Sequence, residues 1–146
     1  MATIGFKLVS GNPNIRDYPE ASAQTFKVGD LVKLSSGQVA IASSDQSVFG
    51  VAAKDASGTT NADVPVYVIT GEQVWVAQAN TTTSAGHVGE DYGLSIGTAG
   101  SMAVDIADTS TTSVIIQALD SRDGAAANGR VLVRFDPDKL QGLLGS

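Results

Sequence analysis

Apolar alternations only a few residues long run through this chain from residue 25 to residue 136, cut off by Gly, Pro, Asn, Asp or Ser at roughly eight- to twelve-residue intervals. An amphipathic helix needs apolar positions that recur on one face over several turns, and no stretch here sustains that repeat. Segments this short each bury one face at most. They must therefore assemble as the strands of a small all-β sandwich or barrel, about eight in number.

Individual strands are legible in the pattern. Strands are predicted over residues 26–34 and 38–42, flanking the tight connection Ser35-Ser36-Gly37 as a hairpin, and then over residues 48–54. Residues 64–70 and 73–79 are joined by Gly71-Glu72 and read as a second hairpin. Pro65 has no N–H to give a ladder, which predicts an edge or strand-start position. Residues 80–100 are the least regular stretch, with Val88, Leu94 and Ile96 as expected anchors and a short strand over 94–96. Met102, Val104 and Ile106 then share one face of a half-buried strand. Residues 114–119 are apolar enough to be covered on both faces, and Val131, Val133 and Phe135 alternate with Arg130, Leu132 and Arg134.

Residues 1–24 read differently, because Gly11, Asn12, Pro13, Asn14 and Pro19 interrupt any period. They are expected to form an extended N-terminal arm ahead of a β domain over 25–136, with a short C-terminal tail over 137–146. Within the arm Ile4, Phe6 and Leu8 alternate with Gly5, Lys7 and Val9, a pattern able to add a strand to a neighbour's sheet edge. Ile4, Phe6 and Leu8, with Ile15 and Tyr18 further along, are the predicted partner-binding residues; a frayed terminus is the other reading. On this view removal of residues 1–24 leaves the β domain folded. In the tail, Asp136-Pro137 suits an N-cap and first helical position, with Leu140, Leu143 and Leu144 on one apolar turn.

Composition narrows the chemistry. Nine basic against fifteen acidic side chains give a net charge of -6, which disfavours a nucleic-acid partner. With no cysteine there is no thiolate, disulfide or sulfur-ligated zinc. The first residues lack a signal-peptide pattern and no apolar run suits a membrane span, so a protein made in a cytoplasm is expected, without a membrane partner.

Gly93-Leu94-Ser95-Ile96-Gly97 fits the G-x-S-x-G nucleophile elbow, but the single histidine, His87, precedes Ser95, and the residues after it do not start a helix. One histidine does not build a metal site, and Asp120, Asp123, Asp136 and Asp138 lack the spacing of a calcium loop. Phosphate-cradling glycine motifs do not occur, and Asn80-Thr81-Thr82 is a glycosylation sequon only in a secretory context. Trp75 and Tyr67 suit either the core or stacking on a sugar. No catalytic, cofactor-binding or metal-binding residue is therefore assigned, and a non-enzymatic role is expected.

The stretch Tyr18-Pro19-Glu20-Ala21-Ser22-Ala23-Gln24-Thr25-Phe26-Lys27-Val28-Gly29-Asp30-Leu31-Val32 resembles the capsid decoration, or cement, proteins of tailed bacteriophages. Gly50-Val51-Ala52-Ala53-Lys54-Asp55-Ala56, Val64-Pro65-Val66-Tyr67-Val68 and Val88-Gly89-Glu90-Asp91-Tyr92-Gly93-Leu94 follow in the order such proteins show, so the likeness covers roughly residues 18–119. It implies an arm leading into a β-tulip-like or related barrel, present in many copies on the outer capsid surface of the virion. The implied partners are the major capsid protein and further copies of the chain, as trimers or dimers. A carbohydrate-binding or host-attachment module, resting on Trp75, Tyr67 and the Thr-rich residues 80–84, is the alternative.

Overall fold

The computed structural model of the chain describes residues 5–43, 48–96 and 98–141. Among the described residues there are eleven strands, β1 (Lys7–Ser10), β2 (Ile15–Pro19), β3 (Leu31–Ser35), β4 (Gln38–Ile41), β5 (Gly50–Ala52), β6 (Asp63–Val68), β7 (Val74–Gln78), β8 (Asp91–Ser95), β9 (Ala103–Asp105), β10 (Val114–Leu119) and β11 (Arg130–Phe135). They form two antiparallel sheets, one of six strands in the order β1-β7-β11-β10-β8-β9 and one of five in the order β2-β6-β5-β3-β4. In the larger sheet β9 returns to the end of β7 through a single parallel bridge, Ala79 with Val104. In the smaller, Glu20 just past β2 meets Val39 of β4 in the same way. Neither sheet closes into a barrel, and β1 is the edge strand that neither bridge covers.

The period of two along each strand explains the core. Leu31 and Val51 join Trp75, Ala77, Val131 and Val133 of the six-stranded sheet in one buried cluster. Their chain neighbours Val32 and Ala52 belong to a second cluster with Phe26, Val39, Val64 and Val66. Adjacent residues thus serve opposite faces, and β3 and β5 of the five-stranded sheet carry buried residues on both. The β3–β4 hairpin forms where it was expected: Ser36 (φ 51°) and Gly37 (φ 79°) are both left-handed, the conformation a two-residue hairpin turn with the right twist requires.

Residues 5–24 are not a separate arm. β1 pairs with β7 and β2 with β6, Phe6 is 2% exposed, and its ring lies 5.9 Å from that of Phe135. Gly5 (φ 76°) and Gly29 (φ 92°) make this docking sterically possible, since a Cβ on Gly5 would stand 3.0 Å from the Gly29 Cα. The Phe6 N–H donates to the Gly29 carbonyl at 2.8 Å beside that contact. The start of the tail is likewise part of the body: Leu140 is buried, and the Gln141 side chain accepts from Leu34 N and donates to Leu34 O at 2.8 and 2.7 Å. Asp136 caps a short 3₁₀ turn, Pro137–Lys139, as its sequence suggests, while Leu143 and Leu144 lie outside the described residues.

Other expectations need correcting. The residues 64–70 and 73–79 do not form a hairpin, because β6 belongs to the five-stranded sheet and β7 to the six-stranded one. The turn between them is a crossover pinned by buried Gln73, which accepts from Thr70 N and donates to Asn12 O, both at 2.9 Å. Pro65 lies inside β6, between β2 and β5. Its carbonyl accepts from Ala53, just past the end of β5, so the missing N–H falls where that ladder has stopped. The first strand of the predicted body starts only at Leu31, after a turn at residues 27–30 closed by Asp30 N to Lys27 O at 3.0 Å. β10 is covered on one face rather than two, with Ile115 37% exposed.

Candidate functional site

Of the four predicted partner-binding residues among the described ones, the fold leaves one more than half exposed. Ile4 lies outside the described residues, Phe6 is core, Leu8 is half-buried against the main cluster, and Tyr18 packs edge-on against Phe49 at 5.3 Å. Ile15 is 51% exposed. It belongs to a set the sequence reading missed: Val9 at the outer face of β1 and Val28 in the turn at residues 27–30 are also more than half exposed. Val28 was hidden inside a predicted strand, and the signal for it was Gly29 followed by Asp30, a turn pair within an apolar run.

Val28 lines a groove of about 580 Å³ between the two sheets, with β1 as one wall and residues of β5 and β6 as the other; Val9 follows the lining residue Leu8 in β1, and Ile15 is paired with the lining residue Tyr67. Leu8, Pro13, Val28 and Tyr67 are among its apolar lining, with the fully buried Trp75 at its floor. Lys7 is the one charged residue lining it, and Lys7 has no carboxylate partner among the described residues. A free sheet edge beside an apolar trough offers main-chain donors and acceptors together with a place for side chains.

Elsewhere, the groups that carried alternative chemistry have structural partners. The His87 Nδ1 accepts from Ser84 N at 3.0 Å, and its ring stands edge-on to Tyr92. Ser95 is the last residue of β8, paired with Ala103, instead of standing on a strand-to-helix turn. Trp75 is 0% exposed and has no face to offer a sugar. In the Thr-rich stretch, Thr83 is buried, with its hydroxyl accepting from Ala126 N at 3.0 Å and directed at the Gly124 and Ala126 carbonyls, while Asn80 donates to Asp105 at 2.9 Å.

Carboxylates, three of them buried and Asp123 half-buried, staple loops. Glu20, 0% exposed, accepts from Ser57 N, Ser57 Oγ and Gly58 N at 2.9, 3.0 and 2.8 Å. Asp30 accepts from Lys27 N at 2.8 Å and Gly100 N at 2.9 Å. Asp120 is bound by Arg122 N and Nε, both at 2.9 Å, and Asp123 by Arg130 N at 2.9 Å and Nε at 2.8 Å. The Arg122 side chain holds the Asp120 carboxyl well below the usual carboxylate range, and Arg130 holds that of Asp123 down at about 2. Burial acts in the opposite sense on Asp30, raising it above the ordinary 3.8.

The signs set a pH dependence. A carboxyl depressed in the fold stabilises it above the unfolded-chain pKa of roughly 4, and that contribution is lost as pH falls toward the folded value. A raised carboxyl instead withdraws stability as pH climbs past about 4. Between about pH 5 and about pH 2.5 the urea midpoint of the native chain is therefore expected to fall further than that of an Asp120→Asn, Asp123→Asn double variant. Equal falls in the two proteins would mean that these arginine pairs are not maintained in solution.

No helix is long and apolar enough to cross a membrane among the described residues. Compared with known proteins, the chain matches no family model and no curated protein.

Proposed function

We propose that this chain is a structural virion protein that binds the outer surface of a tailed-bacteriophage capsid and stabilises the expanded shell. The observation that carries the reading is the concentration of adhesive features at one place: an uncovered edge strand, an apolar groove and the exposed side chains of Val9, Ile15 and Val28. Apolar side chains left exposed beside an apolar groove are the kind of surface that marks interaction sites on otherwise polar proteins. The likeness over residues 18–119 supplies the class of partner, the major capsid protein, and the finer expectation of a β-tulip-like sandwich acting as trimers or dimers.

The physical task suits such a body. Binding to the expanded lattice and not to its precursor stabilises the former by mass action, by about 2.7 kcal/mol per site at a free concentration one hundred times Kd. Many modest sites then add up over a shell.

Virions whose genome encodes this chain are expected to contain it in a fixed, high copy number. Shells stripped of it are expected to rebind it saturably when expanded and far less before expansion. Its absence from purified virions, or the same binding to both shell forms, would overturn the assignment.

A further inference from the structure

The edge of β1 points to a more specific chemistry, which deepens the reading above by naming what the partner presents. We propose that β1 and its groove receive an extended segment of a partner protein, in which apolar side chains alternate and a carboxylate lies at one flank. The segment adds as a further strand to the six-stranded sheet. The roles of donor and acceptor are thus reversed relative to the sequence expectation: β1 is not an arm reaching for a neighbour's sheet but the edge that a neighbour's strand completes.

Three observations carry this. First, among the described residues β1 ends its sheet with β7 as its one ladder partner, whereas β9, β2 and β4, the other sheet-end strands, lie at the isolated bridges that draw Val104 to Ala79 and Val39 to Glu20. Secondly, the groove beside β1 is apolar and of the size that takes side chains, and of the five large apolar residues exposed among the described ones Val28 lines it, Val9 follows the lining residue Leu8 in β1 and Ile15 is paired with the lining residue Tyr67. Thirdly, its charge has one sign. Lys7 is the single charged residue in the lining and lacks a carboxylate partner among the described residues. Two copies of the chain meeting edge to edge would bring two such lysines to one junction in molecules that each carry a net charge of -6, so a second copy is disfavoured as the occupant. A strand with alternating apolar residues and a flanking carboxylate satisfies the edge, the trough and the cation together.

The test uses the full chain and blocked synthetic heptapeptides: valines alternating with threonines between terminal glutamates, the same peptide with terminal lysines, and the glutamate peptide with a central proline. Trp75, the only tryptophan, lies buried at the floor of the groove opposite Leu8 and reports occupancy by a change in its emission; hydrogen exchange of the Leu8, Val9 and Ser10 amides reports strand addition. The glutamate peptide is expected to titrate the emission at roughly millimolar concentration or below and to slow exchange across β1. The lysine peptide is expected to bind about five- to tenfold more weakly, Lys7→Glu to reverse that order, and the proline peptide to lose binding. Three results would each overturn the proposal: no binding by the glutamate peptide, equal binding of both charge forms, or β1 protection that grows with protein concentration alone. Virion content and shell binding decide the capsid assignment separately, since the peptide site stands or falls without a shell.

Discussion

A chain lacking residues 1–24 is expected not to fold. Its far-ultraviolet circular dichroism should lose the native strand signal, and urea should produce no cooperative transition. The deletion removes Phe6, a fully enclosed aromatic side chain whose loss alone costs about 3–5 kcal/mol. It also removes two ladders, β1 on β7 and β2 on β6, and the buried Glu20 carboxylate that orders residues 57–58. A domain of this size has a net stability of about 5–15 kcal/mol, so losses of this kind from several independent sources exceed what it can absorb. The uncovered edges of β6 and β7 would in addition offer long unpaired backbone to other chains, and aggregation is the expected form of the failure. A truncated protein with a sharp urea transition and native near-ultraviolet signal would restore the picture of a dispensable arm, and with it the assignment of Ile4, Phe6 and Leu8 as an anchor.

The contrast between what could and could not be read from the sequence follows from the range of the interactions. The β3–β4 hairpin was legible because Ser36 and Gly37 determine it locally, and the inward face of β11 was legible because Val131, Val133 and Phe135 alternate without interruption. The supposed hairpin at Gly71-Glu72 failed because a short turn sets only the distance between two strands. Which sheet each strand joins is decided by partners remote in sequence, β11 and β1 for β7, β2 and β5 for β6. Phe6 was misread for the same reason: its alternation with Leu8 shows an apolar face, but only Phe135, near the other end of the chain, shows that the face is covered from within the molecule. The candidate site was the least legible feature. Val28 and Lys7 become neighbours of one groove only through the contact of Gly5 with Gly29, and no periodicity encodes that approach.

Trp75→Ala is expected to lower stability by about 3–5 kcal/mol, read as a fall in the urea midpoint with little change in slope. The side chain is 0% exposed and sits on β7 between Leu8 of β1 and Val133 of β11. It also meets Tyr67 of the other sheet edge-on, with ring centres 6.1 Å apart, so one residue ties β1, the six-stranded sheet and the five-stranded sheet together. Trp75→Phe is the informative companion. The indole N–H has no hydrogen-bond partner among the described residues, so phenylalanine forfeits ring volume and no hydrogen bond, and its cost is expected to be smaller, about 1–2 kcal/mol. If the phenylalanine variant fell as far as the alanine one, the N–H and not the ring would be the stabilising group. A midpoint unmoved in both variants would place Trp75 outside the core in solution and return it to the surface role that a sugar-stacking residue requires.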